Sequence, residues 1–186
     1  LTFLAFILIG TLLLMMPFAR RGDQDPGFMD AFFTSTSAVT VTGLSTVDTG
    51  TYWSSIGHLI IMFLVEVGGI GIIGLATILG LFVGGRLGLR TQLTAQADTH
   101  VVSLGDVRPL FKRVTITMLA FQSVTAAILT VRYRTEYFDT WTYSLWHGVF
   151  DAVMAFNNAG FSLHPDSLAG YAGDYAVILP ISVAVF

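Results

Sequence analysis

Two four-residue strings hold the chemistry in this chain. Thr40-Val41-Thr42-Gly43 and Asn157-Asn158-Ala159-Gly160 each end in glycine, and each follows a short, mostly apolar stretch of helical character. A dehydrated potassium ion must be offered oxygens in place of its water shell, and rings of backbone carbonyls can supply them. Consecutive carbonyls face one axis only if the backbone is extended and unusual, and glycine permits such dihedrals. The two strings differ in side chains, as expected if main-chain oxygens do the coordinating. The plainer alternative for the first string is a threonine-rich turn closing a helix.

Other residues invite weaker readings. Glu66 stands inside an apolar run, LVEVGGIGIIG, where a charge is costly. It is expected to brace neighbouring helices through hydrogen bonds rather than bind the ion. Gly68, Gly69, Gly71 and Gly74 follow it, and small residues let helices approach closely in lipid; a gating hinge is the sharper alternative. Asp30 suits the start of the first short helix and Asp48 the rim beyond Gly43, both in structural roles. The histidines at 58, 100, 147 and 164 show no zinc-type spacing, and His147 has no second histidine or paired carboxylate at catalytic spacing. HExxH, GxSxG and GxxxxGK[ST] motifs are absent, as is cysteine.

The elements that must position these strings follow from composition. Of 186 residues, 54% are hydrophobic and 11% charged, against about 25% charged in soluble domains. The net charge of −3 gives no reason to expect a nucleic-acid partner. A spanning helix needs about 20 mostly apolar residues. Residues 1–19, 56–85 and 114–131 meet that description, and 175–186 reads as the start of a fourth span. Residues 28–45 and 143–163 are too short and too polar to span. Each reads as a helix followed by a glycine-containing loop, a form tolerated at membrane depth only where it lines a cavity or is buried in protein. Arg86, Arg90, Arg108, Lys112 and Arg113 make 86–113 the cytoplasmic side. Both re-entrant stretches then enter from outside. The C-terminal ends of their helices point inward, where the dipole favours a cation.

The order span, re-entrant helix, glycine loop, span occurs twice. A shift of 117 residues places Phe33 on Phe150, Ala38 on Ala155, Gly43 on Gly160 and Ser45 on Ser162. Phe28, Tyr52, Trp53, Tyr133, Tyr137, Trp141, Tyr143 and Trp146 fall near run ends on the outer side, as an interfacial aromatic belt would. Residues 1–19 lack a basic leader region and are not read as a signal peptide. Both ends lie in apolar runs, so the chain is expected to be a piece of a longer protein. The expected fold is an all-α integral membrane protein: tandem helix–pore loop–helix repeats around a central ion pore. Unit one is 1–85, the linker 86–113, and unit two 114–186. Competing readings are a non-conducting scaffold, which need not keep both glycines, and an intramembrane enzyme, for which no catalytic constellation is visible.

The stretches AFFTSTSAVTVTGLSTVDTGTYW, GHLIIMFLVEVGGIGI, GGRLGLR and MAFNNAGFSL resemble the first two pore units of the Trk/Ktr/HKT potassium transporters, closer to the bacterial Ktr/Trk pore-forming subunit than to the plant branch. The resemblance implies four such units around one pore, with Gly43 and Gly160 matching the first two filter glycines and units three and four outside this chain. It implies potassium uptake, a glycine in the first segment being associated with potassium permeation and a serine there with sodium-selective plant members. It implies a multi-pass protein of the bacterial inner membrane, homodimeric, with a cytoplasmic nucleotide-binding ring subunit facing 86–113. No cofactor is expected beyond the transported potassium, with sodium a candidate modulator. Relatives commonly carry glutamine at the position of Glu66.

Overall fold

The computed structural model describes residues 2–22, 27–92 and 107–185, with side chains described outside 73, 75–92 and 107–110. Every regular element among them is helical, and one isolated antiparallel bridge joins Arg20 to Trp53. Helix α1 (Thr2–Leu14) is uncharged and ends where Pro17 opens a single 3-10 turn, Pro17–Ala19; a proline lacks the N–H and crowds the preceding turn, which disfavours continuing the helix there. Helix α2 (Phe28–Val39) carries Asp30 in its first turn, against the positive end of its dipole. The cap residue is Gly27, and the Asp30 carboxylate accepts a hydrogen bond from Thr46 Oγ1 at 2.6 Å. The short α3 (Thr49–Tyr52) is capped by Asp48, whose Oδ1 accepts from Thr51 N at 2.8 Å.

The two long helices are α4 (Ser55–Gln92) and α5 (Val107–Glu136). Ser55–Ile72 and Phe111–Glu136 are long and apolar enough to cross a membrane. Both helices run past their apolar cores, so the stretch expected as linker 86–113 is helical at both flanks. Leu, Arg and Gln are good helix formers, and hydropathy does not decide where a helix stops. Residues 93–106 of that stretch lie outside the described residues. Helix α6 (Trp141–Phe156), a second 3-10 turn at Ala169–Tyr171, and α7 (Tyr175–Val185) complete the order.

Helix α2 packs between α1 and α4, α6 packs between α5 and α7, and α4 also touches α6. One core is built from Leu14, Val39, Ile61, Leu64 and Val65, with Phe150, Met154 and Phe161 reaching in from the second half of the chain. A second core joins α5, α6 and α7 through Leu129, Ala152, Val177 and Ile181. Large apolar side chains cover the outside: Leu12, Phe63, Phe121 and Val124 are all more than half exposed. So much exposed apolar surface calls for an apolar surround. Of the aromatics expected in a belt, Phe28, Trp141 and Tyr143 are exposed, whereas Trp53 and Tyr133 are fully buried and so cannot belong to one. Trp53 sits in the core against Tyr52, and the Tyr133 hydroxyl has an internal partner. The Tyr133 tip is satisfied by Asp151, whereas Trp53 Nε1 is buried with no hydrogen-bond partner among the described residues, so packing holds that ring.

Candidate cation-binding site

Helices α2 and α6 end in the same cap. In the first, Val41 N donates to Ala38 O at 3.1 Å and Thr42 N to Ser37 O at 2.8 Å. In the second, Asn158 N donates to Ala155 O at 3.0 Å and Ala159 N to Met154 O at 2.8 Å. The residue that turns the chain out of the helix is left-handed in both, Val41 at φ 55 and Asn158 at φ 55. Asparagine tolerates that region, whereas a β-branched valine there is a genuine outlier. Past each cap the backbone is irregular, through 42–45 and 159–162.

These irregular strands bring the two strings together. A Cβ added to Gly43, whose φ is +74, would collide with the Gly160 backbone, whose carbonyl carbon would lie only 3.0 Å away. A Cβ added to Gly160 would lie 3.3 Å from the Gly43 oxygen. Among the described residues, none of the carbonyl oxygens of 40–43 and 157–160 accepts a hydrogen bond. Thr40, Thr42, Asn158 and Gly160 are exposed, so these oxygens are open to a partner from outside the described residues. Thr40 Oγ1 and Thr42 Oγ1 bond each other at 2.7 Å, which ties the first string internally.

Helix α4 supports both strings through its glycines. A Cβ on Gly68 would strike the Val39 carbonyl at the end of α2, and one on Gly69 would strike the Asn157 side chain at the end of α6. Gly71 faces the Phe3 ring of α1 and Gly74 the Phe111 ring of α5. Each glycine therefore admits a different neighbour, and α4 is unbroken across all of them. Glu66 Oε1 accepts from Gln122 Nε2 of α5 at 2.6 Å and lies 3.4 Å from Asn157 Nδ2. That carboxylate braces α4, α5 and the second cap.

A family model described as "TrkH: Cation transport protein" matches residues 1–186. The chain belongs to this family. It is 37% identical over 180 residues to the Ktr system potassium uptake protein B of Bacillus subtilis, covering 97% of this chain and 40% of that protein. It is 34% identical over 171 residues to the Ktr system potassium uptake protein D of the same organism, covering 92% of this chain and 38% of the relative. The potassium/sodium uptake protein NtpJ of Enterococcus hirae is 31% identical over 183 residues, 98% of this chain and 40% of its own length. The chain thus spans about two fifths of the curated relatives it matches.

This TrkH-family chain also holds a polar cluster that spacing in the sequence did not reveal. His164 Nε2 lies 3.1 Å from Asp151 Oδ2 and 3.5 Å from His147 Nδ1. Tyr133 Oη donates to Asp151 Oδ2 at 2.7 Å, and Tyr171 Oη lies 3.1 Å from His164 Nδ1. His147 therefore does have a second histidine beside it and a carboxylate one turn on. The available signal was His147 and Asp151 at i and i+4 on one helix face; His164 joins them only because the glycine loop doubles back along α6. Among the described residues no group of three His, Asp or Glu is placed to hold a metal ion. Burial, reinforced by the Asp151 charge, pushes the Tyr171 hydroxyl up to about 12, which keeps its proton available to His164. On the turn before α7, Arg132 Nε donates to Asp174 Oδ2 at 2.8 Å and holds that carboxyl below its ordinary range.

Proposed function

We propose that this chain supplies the first two span–pore loop–span units of a potassium-uptake subunit, with Thr40–Gly43 and Asn157–Gly160 as two of the filter segments. The observation that carries this is the meeting of Gly43 and Gly160, backbone to backbone, with unpaired carbonyls on either side. Oxygens with no donor, beyond the C-terminal ends of two short helices, form a surround that favours a cation over its hydrated state. The names of the relatives, potassium and potassium/sodium uptake proteins, agree with that choice of ion.

The rest of the reading follows. The protein is multi-pass in a bacterial cell membrane, the filter loops open to the outside, and residues 86–113 face the cytoplasm. Two further units from the full-length protein close the filter, the subunit pairs with a second copy, and a cytoplasmic nucleotide-binding ring subunit regulates it. Sodium modulation is compatible with the family. The protein is a transporter rather than an enzyme.

Rubidium uptake by the full-length protein, expressed in cells deficient in potassium uptake, tests this reading. The expected result is saturable uptake that potassium competes for, with Gly43→Ser either abolishing it or raising sodium permeation. Unchanged potassium selectivity in Gly43→Ser would overturn the filter assignment.

A further inference from the structure

The two candidate filter strands are held by different chemistry, and only the second hold includes an imidazole. Position 151 of α6 corresponds to 34 of α2, and 164 corresponds to 47, by the 117-residue offset that aligns the caps. The first unit has Thr34 and Val47 there, and the second has Asp151 and His164. Thr34 Oγ1 is buried with no hydrogen-bond partner among the described residues, and the first strand is tied to its helix by Thr46 on Asp30 instead.

We infer that His164 and Asp151 are positioning residues that latch the second filter strand to its helix, and that protonation of His164 weakens cation uptake. The inference rests on the transport reading above. Four links carry it. His164 lies four residues past Gly160 and is anchored locally, its N–H donating to Ser162 Oγ at 3.0 Å. Its ring bridges α6, through Asp151, and the 3-10 turn, through Tyr171. Asp151 borders a cavity of about 290 Å³ shared with Asn158, Ala159 and Gly160, so the charge of the pair is presented to the strand itself. Neighbouring His147 lines an open cavity of about 400 Å³ with Arg21 and His58, which offers protons a route from solution.

The atoms define the switch. With Asp151 ionised and therefore an acceptor only, neutral His164 carries its proton on Nε2 and accepts from the Tyr171 hydroxyl at Nδ1. A second proton on Nδ1 forces Tyr171 to turn from donor to acceptor and adds a positive charge behind the strand. The titratable and charged groups facing His164 are His147 and Asp151 from α6, Tyr133 from α5 and Tyr171 from the 3-10 turn. Behind them, Tyr137 lies edge-on against Tyr171 and donates to Asp174, which Arg132 pairs.

The test is rubidium uptake by the full-length protein as a function of external pH, through the range in which imidazoles titrate, about 5 to 8. In the wild type the KM for rubidium is expected to rise roughly fivefold or more toward acid, the low end of coupling between linked sites. His164→Gln, which keeps a hydrogen-bonding group but cannot titrate, flattens that profile. Tyr171→Phe removes the Nδ1 partner and moves the midpoint, which provides a second readout if the first variant does not assemble. Wild-type uptake with a KM independent of pH, or a profile unaltered in both variants, overturns the inference and leaves the transport reading standing. No wild-type uptake at any pH sinks the transport reading and the inference with it.

Discussion

The two glycine loops share a cap and part company immediately after it. Both leave their helix through a left-handed residue at φ 55, with matching hydrogen bonds back into the last turn. The first does so with a valine and the second with an asparagine. The first strand then tightens on itself through Thr40 and Thr42 and is pinned at its far end by Thr46 on Asp30. The second is held by a buried network reaching into α5 and the 3-10 turn. A shared backbone path therefore does not require shared side chains: the cap is built from main-chain bonds, and what surrounds it is free to differ. The difference also separates a hold with one carboxylate, Asp30, from one that pairs a carboxylate with an imidazole.

The largest expected effect breaks the apparent equivalence of the two glycines. Gly43→Ala adds a side chain at φ +74, against the Gly160 backbone. Left-handed dihedrals cost a non-glycine residue about 1–2 kcal/mol, and overpacking adds about 1–3 kcal/mol. At about 1.4 kcal/mol per tenfold, rubidium uptake should fall at least tenfold. Gly160→Ala meets the Gly43 oxygen at 3.3 Å and has no positive φ to violate, so its loss should be clearly smaller. Equal losses would mean the contact is not the one described.

Next in size is the support from α4. Gly68→Ala pushes on the Val39 carbonyl, which is backbone, whereas Gly69→Ala pushes on the end of the Asn157 side chain, which can rotate. Thermal stability of the purified full-length protein should fall more in the first, by about 1–3 kcal/mol as overpacking typically costs. The reverse order would place the rigid contact at the second cap. A gain is expected from Val41→Asn, which gives the first cap the residue type of the second and relieves a β-branched side chain from αL. The same melting experiment should show a rise in the midpoint, and a fall would show that valine packing outweighs its dihedral cost. The smallest effect concerns the turn before α7. Asp174 has a lowered pKa because Arg132 and Tyr137 bond its charged form. Its contribution to stability is present at neutral pH and is lost as pH falls through that lowered value. Asp174→Asn should therefore lower the melting midpoint slightly near pH 7 and leave it unchanged in strong acid.

Much of the architecture was legible from residue order alone. Runs of apolar residues mark α4 and α5, and Pro17 explains the early end of α1. The strings ending in Gly43 and Gly160 stand out because glycine after a short helix is a local signal. Glu66 was expected to brace its neighbours, and it does so through Gln122 and Asn157. Local composition and backbone propensity act within a few turns, so they can be read a window at a time. What only the tertiary structure decided are the meetings between distant segments. Gly43 lies against Gly160; Gly68, Gly69, Gly71 and Gly74 divide four neighbours among them; Trp53 and Tyr133 leave the expected belt for the interior; and His164 returns to Asp151 and His147. Each depends on where the chain goes after a cap, a path set by the packing of residues far apart in sequence and by the need to satisfy buried polar atoms, neither of which leaves a periodic mark along the chain.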